Sequence, residues 1–271
     1  MMNEDNIVIV ACSFRLLPED MLNRLRRLIG SRSGIVGYIV CAAARSERVL
    51  APGWTLLSTD KQDFDFSAYL TGAELVRKVH VKSRAIIFLN DTLFTNHAAA
   101  ANFTALWRQV GLVKSLELPA MAGKADLYTT VCLRSPWSGL DRYVTTFCFM
   151  LNRPALTLML ELRAMAEHDG VKLDGHLEDP LWGARLPPAF RQFLKANLVY
   201  RESPYLWYRL REASFTQKQL SSKARTIYFE HRLSGAIGDV GCIVPTNAGP
   251  RWATYLNLQE RWSRVLRKLG R

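Results

Sequence analysis

The sequence predicts an α/β sandwich with a mostly parallel central sheet and a helical C-terminal part. Three observations carry this. Apolar runs of strand length alternate with helix-spaced segments through the first 150 residues. Several of those runs are continuously apolar, as strands covered on both faces require. Beyond residue 150 the helical period dominates. With 271 residues and 49% hydrophobic content, the chain can bury one large core, as a single domain or a domain with a lobe.

Residues 6–14, NIVIVACSF, read as a short buried strand. In 17–30, Leu17, Met21, Leu22, Leu25 and Leu28 fall at helical spacing and Gly30 closes the helix. Strands are expected at 34–44 and 53–59, then a helix over 65–79. The next strand, RAIIFLND (84–91), climbs through apolar residues and stops at Asn90-Asp91-Thr92. An Ala-rich helix follows over 97–111, and strand character returns at 124–133. Later, 155–170 and 186–201 read as helices, the second entered through prolines. TIYFEHRLSGAI (226–237) reads as a strand running into a turn or helix, and 175–188, with two Gly and three Pro, as the main internal loop. The expected organisation is a core at 1–150, a continuation at 151–250 that completes the site, and a C-terminal helix at 251–271.

Composition narrows the function. Glu4 and Asp5 stand where a secretory signal would be basic, and no cleavage pattern follows. The apolar stretch 143–160 is interrupted by Asn152-Arg153-Pro154, which argues against a membrane span. Five widely spaced cysteines inside apolar runs read as buried free thiols in a reducing compartment. The net charge of +12 is uneven: residues 181–225 carry nine Lys/Arg against two Glu, and 251–271 carry six against Glu260. That excess is a solvated face or a surface for an anionic partner.

No G-x-G-x-x-G follows the first strand, and no Walker A loop, G-x-S-x-G elbow or H-E-x-x-H is present. The five His show no metal-ligand spacing with Cys. Carboxylates at strand ends remain, where open α/β sheets bind ligands. Asp91 ends one strand; Asp63 and Asp65 follow another. Each is either a helix cap or a ligand-binding acid, and two such ends can converge on one crevice. Asp91 could hold a hard divalent cation, Mg or Mn, that bridges a diphosphate; Asn90 or Thr92 could bond a sugar or phosphate.

Four segments then resemble one family. FDFSAYLTG (64–72) is similar to the D-F-G-A-[WY]-x-x-G segment of the rhamnan synthesis F-like glycosyltransferases, and IIFLNDTLF (86–94) to their strand ending in N-D-S. GLDRYVTTFCFMLNRPAL (139–156) resembles their H-L-Q-S-[YF]-F segment, and YFEHRLSGAIGDVGCIVP (228–245) their E-x-x-L-S. The resemblance spans roughly 60–245 in the family's order. It implies a GT-A type, Rossmann-like fold and transfer of a sugar from a nucleotide diphosphate to a lipid-linked or growing bacterial surface polysaccharide. On it, Asp65 matches the D-F-G-A acid, Asn90, Asp91 and Thr92 match N-D-S, and Glu230, Leu233 and Ser234 match E-x-x-L-S. Ser67 stands where the family has Gly, Thr92 where it has Ser, and N-D-T has one carboxylate where many GT-A enzymes have two.

An inverting transfer needs a base for the acceptor proton. Asp141 and Glu230 are the candidates, with Glu230 preferred because it follows an apolar run. Ser13 and Phe14, at the end of the first strand, are candidates for nucleotide contact by position. His176, Glu178 and Asp179 sit in the Gly/Pro-rich loop, which is a surface loop or faces the acceptor. In 251–271, Trp252, Tyr255, Leu256, Trp262, Val265, Leu266 and Leu269 recur at helical spacing with Arg261, Arg264, Arg267, Lys268 and Arg271 between them. This is the pattern of a helix lying on an anionic membrane surface or packed on the core. Trp182, Tyr200, Tyr205, Trp207 and Tyr208 among basic groups could extend that surface or stack on saccharide. The expected placement is cytoplasmic, on the inner face of the membrane. The competing readings are a basic nucleic-acid-binding protein, disfavoured because no nucleic-acid-binding motif is present, and a non-catalytic scaffold of a synthesis complex.

Overall fold

The computed structural model describes residues 6–60, 62–128, 132–204, 206–207, 210 and 214–268. The expected α/β sandwich with a mostly parallel sheet is present. The strands are β1 (Ile7–Cys12), β2 (Ile35–Cys41), β3 (Arg48–Ala51), β4 (Trp54–Ser58), β5 (Ile86–Asn90), β6 (Ala120–Leu127), β7 (Arg142–Leu151) and β8 (Cys242–Pro245). They form one sheet in the order β3-β4-β2-β1-β5-β7-β6-β8. Six run in one direction; the edge strand β3 and the internal β7 run the other way.

Alternation along β1 shows how the layers are built. Ile7, Ile9 and Ala11 face a layer containing Met21, Leu22 and Leu25 of α1 (Pro18–Ile29) and Phe103 and Leu106 of α4 (Ala99–Trp107). Val8, Val10 and Cys12 face the opposite layer, with Phe66 and Tyr69 of α2 (Asp65–Val79). The second layer continues through α6 (Arg153–Leu160), α7 (Leu162–His168), α8 (Pro188–Leu198) and α9 (Gln217–Val240). β1 is covered on both faces, which is why it carries no polar residue. Gly72 lets α2 lie close on β1, because a Cβ there would collide with Val10.

Several boundaries differ from expectation, each for a local reason. The Ala-rich helix breaks at Arg108-Gln109 into α4 and α5 (Val110–Ser115), between the α4 and short α3 (Thr92–Asn96) side of the sheet and β6. The helix at 155–170 turns at Glu161, where α6 ends and α7 begins. β6 starts four residues before the expected strand because the buried Asn152 ties down its first residue. Its Oδ1 accepts from the amides of Ala120 (2.9 Å) and Ala155 (3.2 Å), and its Nδ2 donates to the carbonyls of Leu116 (3.0 Å) and Leu118 (2.7 Å). The polar break in the apolar stretch is therefore the N-cap of α6.

The largest correction concerns residues 226–237, which are interior to the 24-residue helix α9. A Thr216–Gln219 capping box starts it. Its buried residues Ala224, Tyr228, Leu233 and Ile237 keep the helical period through the stretch that reads locally as a strand. The last helix, α10 (Pro250–Lys268), docks on α4 through Trp252 and Leu256. All five cysteines are free thiols, and Cys242 alone is not fully buried.

Candidate functional site

The strand order places one topological switch point in the sheet. From β1 the chain winds outward through β2 and β4, then returns through α2 to β5 on the other side of β1. The loop leaving β1 enters α1 on one face of the sheet and the loop leaving β4 enters α2 on the other, which leaves a crevice at the carboxyl ends of the strands, the place where such sheets bind ligands. A cavity of about 240 Å³ lies there.

Asp91 shapes its floor. The carboxylate is 1% exposed, and its Oδ2 accepts from the amides of Phe14 (2.9 Å), Arg15 and Leu16 (3.0 Å). It does not cap its own helix; it clamps the loop after β1 across the crevice. Asn90 supplies the turn instead, its Oδ1 accepting from the amide (3.1 Å) and hydroxyl (2.5 Å) of Thr92. The Asn90 Nδ2 donates to Asp65 Oδ2 at 2.5 Å, and the Cys12 thiol lies 3.7 Å from Asp65 Oδ1. Asp65, Asp91, Thr92 and Phe14 all line the cavity, so the two acidic strand ends do converge. Burial pushes the Asp65 carboxyl above its ordinary range; the Lys223 ammonium and the Asn90 amide pull it back, while Asp91 adds to the rise.

Asp63 has a different task. It is fully buried, and its oxygens accept from Arg225 Nε (2.7 Å) and Arg163 Nε (3.1 Å). The anchored Asp63 and Asp65 bracket Phe64, which adopts φ 48°, ψ −127°, the one non-glycine residue at positive φ among those described. A bulky residue in that region carries strain of about 1–3 kcal/mol. The strained backbone places Phe64 in the cavity wall, its ring 6.0 Å from that of Phe14.

The opposite wall comes from α9. Lys223 and Thr226 line the cavity, with Trp207 beside them; the Lys223 Nζ stands 5.2 Å from the Trp207 ring centroid. Sequence reasoning flagged Trp207 but missed Lys223 and Thr226. Their signal is the spacing of Lys223, Thr226 and Glu230, one face of a helix, visible only once 217–240 is read as helical.

Glu230 sits two turns beyond Lys223, behind the cavity rather than in its lining, and its Oε1 accepts from the amide (2.7 Å) and hydroxyl (2.9 Å) of Thr146 on β7. Burial raises its pKa, against the Thr146 bonds and the Lys223 charge. Asp141 lies elsewhere: it is on neither the cavity nor α9, is 56% exposed, and is gripped by Arg142 at 2.9 and 3.2 Å. The Arg142 hydrogen bond holds its carboxyl below the ordinary range, the reverse of what a base needs. Ser13 is buried, its hydroxyl donating to the Leu16 carbonyl at 2.6 Å. His231, next to Glu230, points among Tyr143, Phe190 and Phe193, and burial drops its pKa to about 3. His176, Glu178 and Asp179 lie exposed in the loop before α8. Trp182 is buried, its indole donating to the Lys172 carbonyl at 3.1 Å, and Tyr200 is exposed. Tyr205 and Tyr208 lie outside the described residues, as do Leu269 and Arg271.

A divalent cation on Asp91 does not fit this donor set. Oδ2 of Asp91 is committed to three amides and both Asp65 oxygens already have partners, so Asp91 Oδ1 is the single acidic oxygen of this pair left without a hydrogen bond. Asn90 and Thr92 are neutral. Among the described residues no group of three His, Cys, Asp or Glu gathers as metal ligands. A wider cleft of about 520 Å³ lies between α4 and α10, lined by Arg108, Arg251, Trp252 and Tyr255 among others. It contains no carboxylate and lies away from the strand ends, so the smaller crevice is the better candidate.

No family model matches the chain, and no curated protein matches it. Among solved structures it is similar to a glycosyltransferase involved in the glycosylation of the major capsid of PBCV-1. The two share 11% identity over 74% of this chain and 79% of that one, with a TM-score of 0.32. A likeness that weak carries no functional weight.

Proposed function

We propose that this protein is a glycosyltransferase of GT-A type that moves a sugar from a nucleotide diphosphate to a saccharide acceptor, in line with the rhamnan synthesis F-like resemblance. The observation that carries the reading is the switch-point crevice, where Asp65, Asp91 and Thr92 face Lys223 and Thr226 across one cavity. A polar, charge-lined crevice with aromatic walls suits a sugar nucleotide: Phe14 and Phe64 offer ring faces, and carboxylate and amide groups bond hydroxyls.

In the transfer, the acceptor oxygen forms a bond to the anomeric carbon as the bond to the diphosphate oxygen breaks. The leaving diphosphate carries away the electron pair, and the acceptor proton passes to a base. Glu230 is the better base. Its raised pKa brings it nearer the working range of proton transfer, and it shares a helix face with two cavity residues. Asp65, held by Asn90, positions donor hydroxyls.

The acceptor is a growing or lipid-linked surface polysaccharide, and the protein works on the inner face of the cytoplasmic membrane. Among the described residues no helix is long and apolar enough to cross a membrane. Attachment would instead use α10: one edge docks on α4, while Tyr255, Leu258, Trp262 and Val265 form an exposed apolar stripe beside exposed Arg251 and Arg261.

A thermal-shift screen of nucleotide sugars tests the reading, because a ligand that binds the folded state raises its melting temperature by mass action. At least one nucleotide sugar should stabilise the wild type, and Asp65→Asn should weaken that response. If none binds and none is hydrolysed, the scaffold reading replaces the enzyme.

A further inference from the structure

We propose that the chain binds the diphosphate of its donor without a metal ion, with Lys223 and Arg15 supplying the positive charge that a divalent cation would otherwise bring. The inference rests on the glycosyltransferase reading above and deepens it.

Three features of the crevice point this way. Three of the four acidic oxygens are already in use: Asp91 Oδ2 clamps the loop after β1 and both Asp65 oxygens are tied to Asn90 and Cys12, which leaves a cation Asp91 Oδ1 alone, with no group of three acidic, His or Cys ligands gathered among the described residues. The neighbours of Asp91 in the strand-end motif, Asn90 and Thr92, bond each other and bring no charge. Positive charge is already present, since Lys223 and Arg15 both line the cavity, from different elements.

The Lys223 ammonium is mounted on a fixed backbone. Its two chain neighbours toward the C-terminus include Arg225, bonded to buried Asp63 at 2.7 Å, and the next residue, Thr226, reaches the Asp63 carbonyl at 3.4 Å. Trp207 flanks the amine. Its charge is felt by Asp65 on one side and Glu230 on the other, which places it between the donor wall and the candidate base. Arg15 enters from the other direction on a loop whose backbone is held by Asp91, with its exposed side chain at the cavity. A positive group mounted on a fixed backbone stabilises a leaving diphosphate with little reorganisation, and a lysine serves a phosphate as a point charge.

The test is isothermal titration of UDP, GDP, dTDP, CDP and ADP into the full chain, in EDTA and in MgCl₂ or MnCl₂. One diphosphate should bind in EDTA with an affinity within about threefold of that in metal, a difference under 1 kcal/mol. Lys223→Gln should weaken it about 10- to 100-fold, the loss of a charged hydrogen bond. Lys223→Arg should restore most of it, and binding of the parent nucleoside should not change. Circular dichroism checks that both variants fold, and the wild-type arm in EDTA needs neither. Binding that appears only with metal overturns this inference and leaves the glycosyltransferase reading standing. Full-strength binding by Lys223→Gln in EDTA removes Lys223 from the role. No binding of any diphosphate under any condition overturns the glycosyltransferase reading itself, and this inference with it.

Discussion

Replacing Asp63 with alanine isolates what holds the Phe64–Asp65 wall of the crevice in place. The carboxylate has no solvent exposure, and it accepts from Arg225 at 2.7 Å and Arg163 at 3.1 Å. After its removal Arg163 can turn outward, since its side chain is already 39% exposed, but Arg225, at 6%, cannot. A buried charge that loses its partner costs about 3–5 kcal/mol. Arg225 keeps the Val171 carbonyl at 3.0 Å, so the lower end, about 3 kcal/mol, is expected. For a chain of this length that is a fall in Tm of about 6 °C or more. Adding Arg225→Met removes the stranded charge and should recover at least about 2 kcal/mol, a coupling far from additive. Urea unfolding of the two single variants, the double variant and the wild type measures it. A loss below about 1 kcal/mol for Asp63→Ala, or additive behaviour in the cycle, would show that the Asp63–Arg225 pair is not what fixes the Phe64–Asp65 segment.

Phe64→Gly should leave stability unchanged or slightly raised, because relief of about 1–3 kcal/mol of backbone strain offsets about 0.5–1 kcal/mol of glycine entropy. Nucleotide affinity should nonetheless drop, and a large fall in Tm on denaturation would refute the strain. Glu230→Gln bears on pH. The folded pKa of Glu230 is raised, so its contribution is fully present below the ordinary value of 4.5 and is lost as pH rises through the folded value. The wild type should therefore lose stability relative to Glu230→Gln as pH climbs from 4.5, and parallel curves would contradict this. Glu260 behaves in the opposite sense. Burial alone would raise its pKa, but hydrogen bonds from His97 (3.2 Å) and Asn102 (2.9 Å) hold it at about 2. Its contribution is present above 4.5 and is lost as pH falls toward 2, so hydrogen exchange in α10 should quicken over that window in the wild type and not in Glu260→Gln. Leu258→Ala with Trp262→Ala should weaken sedimentation with anionic vesicles about tenfold or more, given about 1.5–3 kcal/mol for each large apolar side chain buried; unchanged binding would remove α10 from the membrane.

The half of the crevice built from strand ends was legible in the sequence, and the half built from α9 was not. β1 and β5 announce themselves because a strand buried on both faces has to be continuously apolar, and the polar residues that end such a strand then stand out. Asp65 and Asp91 were visible for that reason, and so was the convergence of their loops, since it follows from alternating strands and helices. Their duties were not visible. Whether an acid caps its own helix, clamps a distant loop or pairs with a buried arginine depends on partners 75 to 162 residues away, as with Leu16 for Asp91 and Arg225 for Asp63. No local pattern encodes such pairings. α9 failed differently. TIYF is aromatic and β-branched over four residues, and in so short a window strand propensity competes with helix. The Thr216 cap lies ten residues upstream, and the apolar period that decides the matter runs to Ile237. Misreading that stretch hid the face shared by Lys223, Thr226 and Glu230, because those residues align only at 3.6 residues per turn. Lys223 thus comes from an element whose identity is set over 24 residues, while Arg15 and the acids come from loops beside short strands. This asymmetry explains why the strand-end acids, seen alone, allowed a divalent cation, and why the proposed metal-free binding depends on a lysine that only the folded chain brings opposite them.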